Sequence, residues 1–308
     1  MCVSSELLHE LYRRVPFVKG PPLKSLCPIR GDVTRMPTLL QHSNAEVWKD
    51  PQIVAPYVHA DYLEDAERTI VRLLKPEMSS FDMLDIAVGA GRTTGHFAPL
   101  VRSYVGIDLS PAMIDACITK YAHQLSRARF LVSDMSSMGD LADKSFSFVL
   151  ISYNAISALD HDDRLRTIQE VHRVCTVGGK FCFSTFHLPS IYRPDGIFGL
   201  PYALRSLSLK HPKHSYWALQ NWLYRRFVYN SASEYRRARR RPYVILNDGS
   251  HGFRLRHYYV QPEEQLRQLR AGFQDIRIFA RDGSEVTRPD QYARTKSDWL
   301  FYLCTRKG

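Results

Sequence analysis

Short apolar runs alternate with amphipathic stretches through the middle of the chain. The apolar runs fall near 82–87, 104–108, 129–132, 146–151 and 180–186. Each has the length and continuity of a strand buried on both faces. Between them, the stretches near 92–101, 111–124 and 162–175 read as helices. Ser110-Pro111 is a helix start, with Ser as the cap and Pro in the first turn. Gly178-Gly179 reads as the close of the last of these helices and the opening of a strand. Strand and helix in regular alternation predict a parallel sheet covered on both faces, with the strand ends on one rim. Upstream, Val54, Val58, Tyr62, Ala66, Ile70 and Leu73 recur at helical spacing, with a break at Pro56. Downstream, strands are predicted over 254–260, 275–280 and 298–305, with a helix over 262–271. The turn-rich Arg281 to Ser284 makes the last two an antiparallel pair.

The rhythm breaks over 187–250. Eleven Lys and Arg stand there against three Asp and Glu, so this stretch carries +8 of the chain's formal +11. Eleven aromatic residues are interleaved, and Tyr216, Leu219, Leu223 and Phe227 share one face of a helix predicted over 215–229. The stretch reads as an insertion after the fifth strand. The run Arg236 to Arg241 fits a solvated face, an anion site or a nucleic-acid contact. No accompanying recognition module points to the last.

With 308 residues and 44% of them hydrophobic, a full core can form. No apolar run approaches the roughly 20 residues of a membrane span, and Met1 to Arg14 has no apolar core of a secretory signal. A cytoplasmic location is expected. The six cysteines are scattered without a CxxC pair, which speaks against a zinc site or a disulfide framework, so no metal is expected.

The candidate chemistry lies at the first two strand ends. Asp85-Ile86-Ala87-Val88-Gly89-Ala90-Gly91-Arg92-Thr93-Thr94 is an apolar strand, a small-residue turn and a helix start. The next strand ends in Asp108, whose carboxylate can accept from two ribose hydroxyls. Such a crevice suits an adenosine-containing cofactor. A pyrophosphate ligand fits less well, because the third glycine of GxGxxG is missing after Gly89-Ala90-Gly91.

Five segments in order carry a resemblance: the first strand and turn, Asp108, Ser133-Asp134-Met135, Ser152-Tyr153-Asn154, and Val174 to Gly179. Together they resemble the class I S-adenosylmethionine-dependent methyltransferases of small-molecule type. The resemblance covers roughly 45–187 and 252–305. It implies an α/β fold with a doubly wound, mainly parallel seven-stranded sheet and a final antiparallel strand. It implies an N-terminal arm over 1–44, a Rossmann-like domain over 45–186 and 251–308, and an aromatic and basic substrate lid over 187–250. S-adenosyl-L-methionine is the implied cofactor.

Carried over residue by residue, Asp85, Gly89 and Gly91 look like the turn under methionine and ribose, with Ala87 where the family usually has glycine. Asp108 looks like the ribose acid, with Leu109 and Met113 beside the adenosine. Asp134 looks like the adenine amino acceptor, with Met135 against the ring. Arg92 is placed to reach the cofactor carboxylate, and Tyr57 or Tyr62 to close over the cofactor from the N-terminal side. Tyr153 and Asn154 flank the methionine end and the acceptor entrance. His187, Tyr153 and Asn154 are the candidates for a base or for positioning the acceptor, followed by Tyr258 and Tyr259. The expected acceptor is a nitrogen or oxygen of a small amine- or ring-bearing molecule. The alternative is RNA or another macromolecule held by the basic insertion.

Overall fold

The computed structural model describes residues 44–48, 57–121, 125–193, 195–196, 198–200, 204, 212–230, 232–292 and 294–308. The expected arm over 1–44, Asn44 apart, and the break at Pro56 lie outside the described residues.

In chain order the elements are α1 (Asn44–Val47), α2 (Asp65–Leu74), β1 (Asp82–Ile86), α3 (Thr94–Phe97), β2 (Ser103–Asp108), α4 (Pro111–Tyr121), β3 (Ala128–Val132), β4 (Phe146–Ile151), α5 (His161–Val174) and β5 (Cys175–His187). Then follow α6 (Pro212–Leu223), α7 (Ala232–Ala238), β6 (Tyr243–Leu246), α8 (Ser250–Phe253), β7 (His257–Val260), α9 (Pro262–Arg270), β8 (Phe273–Ala280), α10 (Pro289–Tyr292) and β9 (Trp299–Arg306). Strands β3-β2-β1-β4-β5 are parallel. β9 lies antiparallel on β5, and β8 antiparallel on β9. These seven strands are the predicted sheet. The continuous apolar runs follow from burial on both faces. Leu84, Ile86, Val149 and Ile151 enter one core, while Met83, Phe148 and Leu150 enter the other.

The sheet holds two further strands, of which the one over 254–260 was expected and β6 was not. β6 and β7 form an antiparallel hairpin, and β7 runs parallel to β5 at Phe186 and His187. The reason lies in the unequal lengths of β4 and β5. β4 pairs with β5 only as far as Phe183, whereas β5 continues to His187. The hairpin takes up the open edge beyond, against the turn 155–158 that follows β4.

Two local expectations change. Cys175 is already extended (φ −74°, ψ 141°), so α5 ends at Val174 and the strand starts at once. Gly178, at φ +76°, then serves an irregularity between Phe146 and Phe148 in the β4–β5 pairing rather than a helix end. The helix over 92–101 shortens to α3 and a 3-10 turn containing Pro99. Among the described residues, no helix is long and apolar enough to cross a membrane.

Arg164 of α5 holds the rim from behind. It is fully buried. Its guanidinium donates to Ile156 O (3.1 Å), Thr185 Oγ1 (3.1 Å), Gln268 Oε1 (3.4 Å) and Gln265 Oε1, none of them a carboxylate. Its face lies 4.7 Å from the Tyr258 ring. Burial lowers its pKa to about 10. One side chain thus ties together α5, the turn after β4, β5 and α9. Arg164→Met should strand several buried acceptors and lower stability by about 3 kcal/mol, measured by urea denaturation.

Candidate active site

The turn after β1 is built on three left-handed residues: Ala87 (φ 54°), Gly89 (φ 58°) and Gly91 (φ 86°). A side chain at Ala87 strains this conformation by roughly 1 kcal/mol, which gives glycine its advantage there. The two glycines differ in use. A Cβ on Gly91 would stand 2.5 Å from Tyr121 Cε2, so the turn packs tightly against α4. A Cβ on Gly89 would meet nothing within 4 Å, so backbone is open to the crevice. Asp108 faces this opening. Its Oδ2 accepts from Gly89 N and its Oδ1 from Ser110 N, both at 2.9 Å. Burial raises its pKa, and the two backbone N–H groups counteract the rise.

Asp85 braces the turn from below. Its Oδ2 accepts from the Thr93 and Tyr104 hydroxyls, each at 2.6 Å. It is 1% exposed, and burial raises its pKa to about 6. Arg92 differs from expectation. It does not reach toward a ligand carboxylate, because Glu67 of α2 engages it first. Arg92 Nη1 and Nη2 donate to the two Glu67 oxygens at 2.8 and 2.6 Å, and Nη1 also donates to Tyr62 O at 2.7 Å. The Ser152 hydroxyl joins both side chains. The Arg92 guanidinium lies 5.2 Å from the Tyr62 ring and 5.0 Å from the Tyr153 ring. The two tyrosine hydroxyls meet at 3.2 Å. Burial is the largest influence on Tyr62 and pushes its hydroxyl well above the ordinary range.

At the end of β4, Tyr153 (φ 54°) and Asn154 (φ 59°) are both left-handed. Asn154 N donates to the Ser184 hydroxyl at 2.7 Å. Its side chain is buried, yet among the described residues neither Nδ2 nor Oδ1 has a partner. Met113 packs with Ala90 beneath Trp48, Tyr57 and Val58. Leu109 is half-buried beside Asp108. Asp134 is exposed, and its Oδ1 accepts from both the backbone N and hydroxyl of Ser136 at 2.8 Å. Met135 packs against the edge of one core.

His187 requires the largest correction. It ends β5 at the rim, but alternation turns its ring to the face opposite Phe186 and Tyr259. It is 1% exposed, and its Nδ1–H donates to Ser297 O at 3.1 Å. Burial, together with the nearby Arg193 charge, lowers its pKa to about 4. The ring is enclosed, and its Nε2 has no partner among the described residues. Tyr258 is likewise turned away, its hydroxyl 2.8 Å from His161 Nδ1.

A second group of polar residues escaped the reading of the sequence. Asp248, in the loop between β6 and α8, is buried. Its Oδ2 accepts from His257 Nδ1 at 2.8 Å and from the Tyr259 hydroxyl at 3.2 Å, and its Oδ1 from Ser250 N at 2.9 Å. Burial alone would raise the Asp248 pKa, but His257 and Ser250 hold it well below the carboxylate range. His251 Nε2 lies 3.0 Å from the Tyr57 hydroxyl. Burial first, and the neighbouring His257 second, lower the His251 pKa to about 4. Gly249, His251 and Phe253 are all left-handed. No spacing rule joins Asp248, His251 and His257 along the chain; the hairpin brings them together. The one sequence cue was the strand itself, in which Tyr258 and Tyr259 drew attention and the adjacent His257 did not.

Ring contacts connect these groups. Tyr153 meets Trp299 at 4.9 Å, Trp299 meets Phe186 at 6.2 Å, and Phe186 meets His257 at 5.0 Å. His251 meets Trp48 at 5.2 Å, and Trp48 meets Tyr57 at 5.8 Å above the Ala90–Met113 cluster. An aromatic series therefore runs from the β4 end to the hairpin, and another from the hairpin back to the β1 turn.

Two tests follow from the buried groups. Glu67→Ala leaves Arg92 buried and unpaired, and should lower stability by about 3–5 kcal/mol in urea denaturation. Asp85 keeps its proton in the native state at a pH where the unfolded chain has lost it. Its contribution therefore favours folding below about pH 4 and is lost as pH rises through about 6. Asp85→Asn should flatten the fall in stability across that window, read from denaturant midpoints at each pH.

Residues 83–179 match the family model described as a methyltransferase domain. No curated relative matches the chain. Among solved structures, an S-adenosylmethionine-dependent methyltransferase from Mesorhizobium loti is similar at 16% identity, with a TM-score of 0.51, covering 78% of this chain and 98% of that one. Another, from Clostridium acetobutylicum, is similar at 14% identity, with a TM-score of 0.50, covering 84% and 98%. At such identities the likeness speaks for the fold, and the domain match speaks for the activity. Residues 83–179 thus match a methyltransferase domain, and the sheet that carries them has the Rossmann-like fold of the S-adenosylmethionine-dependent methyltransferases it resembles.

Proposed function

We propose that the crevice between the β1 turn and the β4 end holds S-adenosyl-L-methionine, and that the chain moves a methyl group to a nitrogen or oxygen of a small molecule. Asn154 carries this reading. A buried amide with neither atom paired is destabilising by about 1–3 kcal/mol for each group. A polar ligand at the rim would satisfy it. The Ser110 hydroxyl, also buried and unpartnered among the described residues, adds a second such group beside Asp108.

The residues present fit the cofactor. Each Asp108 oxygen accepts one backbone N–H and retains capacity for a ribose hydroxyl. The open backbone at Gly89, with Ala87 before it, lets ribose and methionine approach. Leu109, Met113 and Met135 offer apolar contact to adenine, and Asp134 an acceptor for its amino group. Tyr62, Tyr153 and Asn154 bound the methionine end. Arg92 supports this wall through Glu67 and is not assigned a ligand. When bound, the cofactor supplies an already activated methyl group. The task left to the protein is to align an acceptor lone pair at roughly 3–3.5 Å and to exclude water.

The insertion over 187–250, with the strand that follows it, serves as the cover. The walls near the rim are rings, namely Tyr153, Trp299, Phe186, Tyr57 and Trp48, which favour a small ring-bearing acceptor over a macromolecule. The arginines of 236–241 are exposed and take no part in the ring series. Asp108→Ala should abolish S-adenosylmethionine binding in calorimetry, and unchanged affinity would remove the site. Asn154→Ala should weaken binding at least about tenfold, equivalent to the roughly 1.4 kcal/mol of one lost buried hydrogen bond.

A further inference from the structure

The hairpin inserted beside β5 holds a pair that the cofactor site does not need. Asp248 and His257 are both buried and 2.8 Å apart, and His257 lies on a strand that shares the rim. Asp248 has three donors on it, all from the hairpin and α8. A carboxylate accepting from Nδ1 fixes the imidazole as the Nδ1–H tautomer and leaves the Nε2 lone pair available. Among the described residues, His257 Nε2 makes no hydrogen bond. The ring is not isolated from the methyl-donor side. It lies against Phe186, which leads through Trp299 to Tyr153.

We infer that His257, oriented by Asp248, is the general base of the acceptor site, and that the acceptor is an aromatic alcohol methylated on oxygen. The inference rests on the cofactor reading above and goes beyond it by choosing the acceptor's chemistry. A neutral amine can attack without losing its proton first, whereas a hydroxyl is a poor nucleophile until its proton is removed or strongly polarised. The rings of Phe186, Trp299 and Tyr153 supply flat apolar walls for an aromatic body. In the step, the acceptor O–H bond breaks and its proton passes to His257 Nε2. The oxygen lone pair forms the new O–CH3 bond. The S–CH3 bond breaks, and its electron pair stays on sulfur, leaving neutral S-adenosylhomocysteine. The net positive charge moves from sulfur to the imidazolium, where Asp248 stabilises it. Bearing on His257 are Asp248, which also takes the Tyr259 hydroxyl, the Phe186 ring and His251 of α8.

The test uses the full-length protein and two readouts that need no turnover. First, 15N NMR of the histidine rings should show the neutral His257 ring with Nδ1 protonated and Nε2 bare, and Asp248→Asn should mix the tautomers. Second, 4-nitrophenol is titrated into protein saturated with S-adenosylhomocysteine, and its phenolate absorbance is followed against pH. The bound probe should ionise at least about one pH unit below the free probe, a tenfold shift. His257→Gln should abolish this shift and Asp248→Asn should reduce it, with S-adenosylhomocysteine affinity retained. A bound probe that ionises like the free one overturns the assignment. Absence of probe binding, while S-adenosylhomocysteine still binds, overturns it as well. Failure of the wild-type protein to bind S-adenosylhomocysteine overturns the cofactor reading instead.

Discussion

The buried ion pair between Glu67 and Arg92 is the constraint on which the rim depends. It joins α2, the β1 turn and the end of β4 through one carboxylate and one guanidinium. Glu67 also accepts from Glu64 N at 2.7 Å, closing a capping box at the start of α2. Glu64 in turn takes Arg281 at 2.8 and 2.9 Å, and Arg281 lies over Trp299 at 4.2 Å. A single network therefore runs from the helix before the sheet to the last strand of the sheet. Buried pairs of this kind bring little net stability and much geometric definition, because either partner alone would be intolerable. Here the definition falls on Tyr62 and Tyr153, which face the Arg92 guanidinium.

The rim is also where the backbone departs from its comfortable regions. Ala87, Tyr153, Asn154, His251 and Phe253 all adopt left-handed angles without being glycine. Four of the five belong to the β4 end and the α8 loop, the two segments that bring Asn154 and the Asp248–His257 pair to the rim. Such angles persist only where surrounding contacts enforce them. Asn154 is held by Ser184, and the loop by the three donors on Asp248. Rigid β-strands below and strained loops above give a site whose polar atoms do not relax onto one another.

Much of the fold was legible in the linear pattern. Strands that are apolar at nearly every position, such as Met83 to Ile86 and Phe146 to Ile151, are buried on both faces, so a parallel sheet follows from local composition. Asp108 was legible too, because an acid directly after a short apolar strand must sit at the sheet's rim. The turn at Gly89 and Gly91 was visible for a similar reason: small residues are needed where backbone reverses tightly. The hairpin was half visible. Its second strand was read as part of the main sheet, since nothing local says which edge of β5 a strand will choose.

What tertiary structure decided is the direction and partnership of polar side chains. His187 and His257 are both histidines on rim strands, and the sequence favoured the first. Strand alternation turned His187 to Ser297, while pairing of β7 with β5 turned His257 toward Phe186 and Asp248. Arg92 was placed correctly at the turn, but its partner lay 25 residues upstream. The sequence alone determined the alternating sheet, the rim acid at Asp108 and the open turn at Gly89, because these follow from propensity and burial of neighbouring residues. The ion pairs, the facing of each histidine and the enclosure of Asn154 were settled only in three dimensions. Charge pairing and hydrogen bonding act across distances that bear no relation to spacing along the chain.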